Sequence, residues 1–356
     1  MSTGKLRILV APDSFKGSLT SKQAATIIAD TLLTTVPDAE IVQCPLADGG
    51  EGTAEILAPH LAGSICLIES AQFIGLNLPQ MQSLNVMQRG SSVLGEAILA
   101  GLDDGKRQFV IGLGGSATND GGLGMLMALG MQAWDAHDNP VALNLSGLLS
   151  LVRIDISNLD PRLPESRFTI LSDVLSPLCG KNGATAVYGP QKGVQRAEVT
   201  RIERAISGFA DMCGDVFGFD PRSEQGAGAA GGLGFALMLL GGKVVSGAGF
   251  VIEKSGFTNQ LSDTDWVITG EGRSDAQTLQ GKLPFKVAGA ARAAGVKVAL
   301  LSGSVDTDAE VDLKKHFDLV IGTLPEGISV EQVMEKAEEM LIAGVHRLFE
   351  RVSRDG

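Results

Sequence analysis

The chain has no paired cysteines. Cys44, Cys66, Cys179 and Cys213 are scattered with no CxxC, which reads as reduced thiols in a cytoplasmic protein. Its four histidines, His60, His137, His316 and His346, stand isolated. That argues against a His-based zinc site and against a Ser-His-Asp triad. No run of Lys or Arg interrupts a net charge of −12, so neither nucleic acid nor an anionic membrane is an expected partner. No apolar run is long enough to cross a bilayer, and Ile8-Leu9-Val10-Ala11 is too short for a signal peptide. GxxxxGK[ST] and the protein-kinase signatures are also missing, which excludes a P-loop kinase and a protein kinase.

What is abundant is glycine, 46 residues in discrete clusters along 356. The length points to two domains. The most informative cluster is GLGGSATNDGGLG at 112–124, which follows Phe109-Val110-Ile111 and leads into Met125-Leu126-Met127-Ala128-Leu129. The pattern predicts strand, glycine-rich turn and helix, an arrangement that offers backbone N–H groups to an anion. Gly114, Gly115, Ser116, Thr118, Asn119 and Asp120 are the expected phosphate- or nucleotide-binding residues, with a tight structural turn as the alternative. Met125, Met127 and Met131 read as core.

In chain order, Leu6–Ala11 predicts a buried parallel strand and Asp13-Ser14-Phe15-Lys16 the loop after it. Thr20 and Gln23 form a capping box for a helix with Ala24, Ile27, Ile28 and Leu32 inside. A second strand over Ala39–Pro45 ends at Ala47-Asp48-Gly49-Gly50-Glu51-Gly52-Thr53. Both polar loops lie at strand carboxyl ends, where open α/β sheets bind ligands. Further strands are expected at Ile65–Glu69, at Phe168–Val174 ending in Asp173, at Trp266–Thr269 with residues 270–275 as a loop, at Val296–Leu301 and at Leu319–Thr323. Helices are expected over Val93–Leu102, Arg196–Phe217, Leu283–Ala294 and Val330–Val352. The polar stretch after Asn77 matches no template. GAGAAGGLG at 226–234 holds GxGxxG by letter and opens a helix through Leu240, but it follows Arg-Ser-Glu-Gln and not a strand. The dinucleotide fingerprint therefore lacks its context, and close packing or approach to a ligand explains the small residues better.

The two chain ends alternate strand and helix more clearly than the middle. Residues 1–60 with 260–356 are expected to form one doubly wound domain and 61–259 an inserted α/β domain, with the active site in the cleft between them.

Five stretches together resemble the bacterial glycerate kinases of type 1. They are APDSFKGSL at 11–19, ADGGEGT at 47–53, GLGGSATNDGG at 112–122, SDVLSPLCGKNGATAVYGPQKG at 172–193, and GAGAAGGLG at 226–234 with TGEGRSDAQTLQGK at 269–282. The resemblance implies a flavodoxin-like domain from both chain ends and a restriction-endonuclease-like inserted domain. It also implies phosphorylation of D-glycerate by ATP with Mg²⁺, giving 2-phosphoglycerate or 3-phosphoglycerate. One region departs: the stretch 54–96 is shorter than the family's, and Ser92-Val93-Leu94-Gly95-Glu96 stands where the family has Thr-Gly-Thr-Gly-Glu.

Phosphoryl transfer needs positioning and charge neutralisation more than covalent chemistry. Lys16 is expected to neutralise a transferring phosphate or to hold the substrate carboxylate, beside Asp13 and Ser14. Asp48 or Asp173 is expected to orient and deprotonate the acceptor hydroxyl; alternatively, the acids serve only the metal. Lys192 and Arg273 are further phosphate-binding candidates, and Asp173, Glu271 and Asp275 candidate metal ligands. For the lysines a solvated surface charge is the plainer alternative. The shortened 54–96 stretch keeps a non-catalytic or altered-substrate family member in view. A nucleotide-linked oxidoreductase is the rival enzyme class, and homo-oligomerisation is left open.

Overall fold

A computed structural model describes residues 5–325 and 330–352. The strands described are β1 (Arg7–Val10), β2 (Glu40–Gln43), β3 (Ile65–Glu69), β4 (Gln108–Gly112), β5 (Gln132–Trp134), β6 (Arg153–Asp155), β7 (Arg167–Leu171), β8 (Lys243–Val245), β9 (Trp266–Ser274), β10 (Lys297–Val305) and β11 (Leu319–Gly322). The chain divides into two compact units, one of Met1–Asp48, Glu55–His60 and Ala248–Gly356, the other of Gly49–Ala54 and Leu61–Gly247.

The first unit holds a wholly parallel sheet in the order β11-β10-β9-β1-β2. Ile8, Leu9 and Val10 are all buried, the continuous apolar run expected of a strand covered on both faces. One core joins Ile8, Val10, Ile268 and Leu301 to Ala24, Ile28 and Leu32 of the helix Ser21–Thr35 and to Leu341, Val345 and Leu348 of the helix Val330–Val352. The capping box forms: Gln23 N–H donates to Thr20 Oγ1 at 3.2 Å and Thr20 N–H to Gln23 Oε1 at 2.9 Å. The chain leaves β1 for β2 on one side and later returns to β9 on the other. Connections therefore diverge between β1 and β9, and such switch points open a crevice at the carboxyl ends of the strands.

The second unit has a parallel sheet in the order β3-β4-β7-β8 and an antiparallel pair β5-β6. Its core packs Phe109 against Phe168 with ring centroids 5.2 Å apart, and gathers Ile202, Ile206 and Phe209 from the helix Val199–Phe217. The stretch after Asn77 becomes two short turns of helix, Pro79–Gln82 and Val86–Gln88.

Three expectations are corrected. β9 does not stop at Thr269 but runs to Ser274, because Gly270, Glu271, Arg273 and Ser274 pair with Leu301, Ser302, Ser304 and Val305 of β10. β7 ends at Leu171, so Asp173 lies two residues past it and is exposed. The GAGAAGGLG segment is mostly turn, and the helix begins only at Leu233. Its glycines permit close packing. A Cβ at Gly231 would lie 2.1 Å from the Thr118 carbonyl oxygen, and one at Gly232 would lie 2.5 Å from Gly121 Cα.

Candidate active site

In the first unit a cavity of about 360 Å³ opens at the carboxyl ends of β1, β9, β10 and β11. Asp13 reaches it from the loop after β1, where its backbone N–H is held 2.9 Å from the Gly270 carbonyl. Its Oδ1 accepts the Ser14 N–H at 2.7 Å. Lys16 crosses to Asp48, with Nζ 3.0 Å from Oδ2. Burial first, and then the Asp48 charge, raise the Asp13 carboxyl well above the usual range, while Lys16 acts against them. Lys16 in turn is held protonated chiefly by Asp48, then by Asp13, against the effect of burial. Two acids and a lysine therefore share one patch of charge.

Glu271 and Arg273 line the same cavity from within β9. Glu271 is buried, and its Oε1 accepts the hydroxyls of Ser274 at 2.9 Å and Thr278 at 2.6 Å. Arg273 lies 3.8 Å from Asp275 Oδ2 and 3.4 Å from Asp306 Oδ2. Lys282, which the residue types alone did not single out, lies 3.6 Å from Glu271 Oε2 and 3.4 Å from Asp275 Oδ1. Its only signal was its place at the end of TGEGRSDAQTLQGK.

The second unit builds a different site around the 112–124 loop. Much of the loop's backbone donor capacity is spent inside the protein. Gly114 N–H goes to the Gly49 carbonyl, Ala117 to Ile74 and Gly121 to Gly231. Gly122 and Gly124 donate to the Asp120 carboxylate, and Met125 donates to Ser91 Oγ. Asp120 also accepts the Ser91 N–H at 2.9 Å and its hydroxyl at 2.8 Å. Fully buried, it is the staple of the loop, and burial pushes its carboxyl up while these donors pull it back. Gly114 and Gly115 supply shape: a Cβ at Gly114 would lie 2.5 Å from Gly50 Cα, and Gly115 has φ +76. The DGGEGT and GLGGSA segments thus meet backbone to backbone, which only glycine allows.

Side chains gather beside the loop. Lys192 is buried, with Nζ 2.7 Å from the Thr118 carbonyl and 3.4 Å from Ser116 Oγ. Burial lowers its ammonium to about 7; Asp120 opposes the shift and Arg89 adds to it. Asn119 Nδ2 donates to Thr185 Oγ1 at 3.0 Å. Thr118 Oγ1 and Asn119 Oδ1 are buried with no partner among the described residues, the condition of groups that await a water or a ligand. Thr185 was marked only by its place within SDVLSPLCGKNGATAVYGPQKG, and Arg89 and Ser91 carried no sequence signal. Neither did buried Glu69, which accepts the N–H groups of Gly52 at 3.0 Å and Ala54 at 2.8 Å. Among the described residues no three His, Cys, Asp or Glu converge as a metal site, and no helix is long and apolar enough to cross a membrane.

The glycerate kinase family model matches residues 8–66 and 60–353. The chain is 36% identical to a glycerate kinase of Haemophilus influenzae over 95% of its own length and 96% of the relative's. It is also 36% identical to the glycerate 2-kinase of Escherichia coli K12, over 90% and 93%. A crystal structure assigned as glycerate kinase 2 of Salmonella typhimurium LT2 superposes with a TM-score of 0.78 at 33% identity, covering 99% of both chains. With the site motifs, the parallel sheets and the match over nearly its whole length in agreement, the chain is an enzyme of the glycerate kinase family.

Proposed function

We propose that the chain transfers the γ-phosphoryl group of ATP to the 2-hydroxyl of D-glycerate, giving 2-phosphoglycerate, with Mg²⁺ assisting. The observation that carries the chemistry is the Lys16–Asp48 pair at 3.0 Å beside buried Asp13 at the carboxyl edge of a parallel sheet. Asp48 orients the acceptor hydroxyl and takes its proton, Asp13 shares that proton, and Lys16 draws charge off the transferring group. Lys192 with Ser116, Thr118 and Asn119 forms a second anion site. The position of transfer follows the name of the Escherichia coli relative, a glycerate 2-kinase.

The chain's own carboxylates suit Mg²⁺. That ion takes one or two carboxylates with phosphate oxygens and water, and needs no all-protein cage. Asp13 and Asp48 offer such hard oxygen donors beside the cavity, although Asp13 accepts the Ser14 N–H and Asp48 the Lys16 ammonium; Glu271 and Asp275 accept from neighbouring hydroxyl, amide and ammonium groups. The bound ion supplies neutralisation of phosphate charge. The scattered cysteines of the sequence, with no CxxC, support a cytoplasmic setting.

Phosphorus NMR of the product tests the reading. A phosphate on the 2-carbon couples to one proton and gives a doublet; on the 3-carbon it couples to two and gives a triplet. A doublet is expected. A triplet overturns the position, and no ADP formed with D-glycerate overturns the activity.

A further inference from the structure

The cavity of the first unit is amphipathic. It is lined by the cations Lys16, Arg273 and Lys282 with carboxylates, from the loop after β1, from β9 and from residues just beyond it, and by the aliphatic side chains Leu324, Ala337 and Leu341 from the segment after β11 and the helix Val330–Val352. At about 360 Å³ it falls within the ~300–1,000 Å³ of pockets that bury ligands of drug size.

D-Glycerate carries an oxygen on each of its three carbons and has no apolar face. Seating it against aliphatic side chains would strip its hydroxyls of partners, an unfavourable exchange. A purine nucleoside triphosphate carries a flat apolar base at one end and a polyanion at the other. It matches both kinds of lining in this cavity.

The buried cluster of the second unit has the opposite character. Lys192, Ser116, Thr118, Asn119 and Thr185 supply one cation and short polar groups, and Thr118 Oγ1 and Asn119 Oδ1 have no partner among the described residues. That chemistry suits a small anion and offers a purine base no apolar wall.

We infer that the cavity at the β1/β9 switch point is the nucleotide seat, with the base against Leu324, Ala337 and Leu341 and the phosphates among Lys16, Arg273 and Lys282. The inference rests on ATP being the donor. It makes Lys282 a phosphate-binding residue, its ammonium directed by Glu271 and Asp275, and makes the aliphatic wall the determinant of nucleotide affinity.

Ala337→Phe fills the cavity at its aliphatic lining. It is expected to raise KM for ATP by about tenfold or more and to leave KM for D-glycerate within about twofold. A folded variant that raises KM for D-glycerate instead, or leaves both unchanged, overturns the assignment. Photolabelling of the unmodified protein with 8-azido-ATP provides a readout free of any folding defect. Adducts at Leu324, Ala337 or Leu341 are expected, and adducts confined to residues 112–124 overturn the inference. Labelling does not require turnover. Adducts on the aliphatic wall without phosphorylation of D-glycerate would sink the proposed function and leave this inference standing.

Discussion

Lys16 Nζ lies 3.0 Å from Asp48 Oδ2, joining the loop after β1 to the loop after β2. The pair is partly solvated, and exposed ion pairs contribute at most about 1 kcal/mol to stability. Its value to the protein is therefore chemical. Asp48→Asn is expected to lower kcat by about 10²–10⁴, the range for loss of a general base, with little change in the thermal midpoint. Full turnover with normal Mg²⁺ dependence in that variant would remove Asp48 from both its proton-accepting and metal-holding roles.

Asp120 is a different kind of acid. Its carboxylate accepts from Ser91 N–H and Oγ–H and from the backbone of Gly122 and Gly124, fully buried. Asp120→Ala strands those donors and is expected to cost on the order of 3 kcal/mol or more, read as a fall in the urea midpoint. A variant of parental stability with a raised KM would instead make Asp120 a ligand-binding residue.

Glycines in this chain differ in what a methyl group would meet. At Gly231 a Cβ would strike the Thr118 carbonyl at 2.1 Å, and φ is +71. Gly231→Ala should therefore distort the loop that holds Thr118 and Lys192 and weaken the fold sharply. At Gly208, inside the helix Val199–Phe217, nothing lies within 4 Å. Gly208→Ala should stabilise by roughly 0.5–1 kcal/mol. Paired urea titrations decide, and equal effects at the two positions would refute the packing account.

Local signals carried much of this structure. The Thr20–Gln23 box and the apolar runs at β1 and β9 depend on neighbouring residues, so their elements were legible. What failed depends on distant partners. Gly270-Glu-Gly-Arg-Ser274 reads as a loop, and tertiary pairing with β10 makes it strand. For Lys192, the plainer alternative of a solvated surface charge is excluded only in three dimensions, where it is buried and Thr118, distant in the sequence, accepts its ammonium. Lys282 stood unremarked among polar residues until Glu271 and Asp275 closed around it. The glycine-rich loop was found by its pattern, but not the tertiary partners that take the N–H groups of Gly114, Ala117, Gly121, Gly122 and Gly124.

The buried ammonium of Lys192 gives the site a pH signature. Burial lowers it to about 7, whereas a lysine in the unfolded chain titrates near its ordinary value of about 10.4. Between those limits the unfolded chain holds a proton that the folded chain has released. Stability therefore rises with pH across that window, by at most about 1.4 kcal/mol per pH unit from this residue. Below about 7 both states are protonated, and the penalty for burying the charge is constant. Lys192→Met should flatten the rise, measured by urea unfolding at several pH values across the window. An anionic ligand needs the charged form, so its KM should climb as pH passes about 7 in the parent. In Lys192→Met, KM should stay uniformly high. Identical pH slopes in variant and parent, for both unfolding and KM, would show that another group titrates.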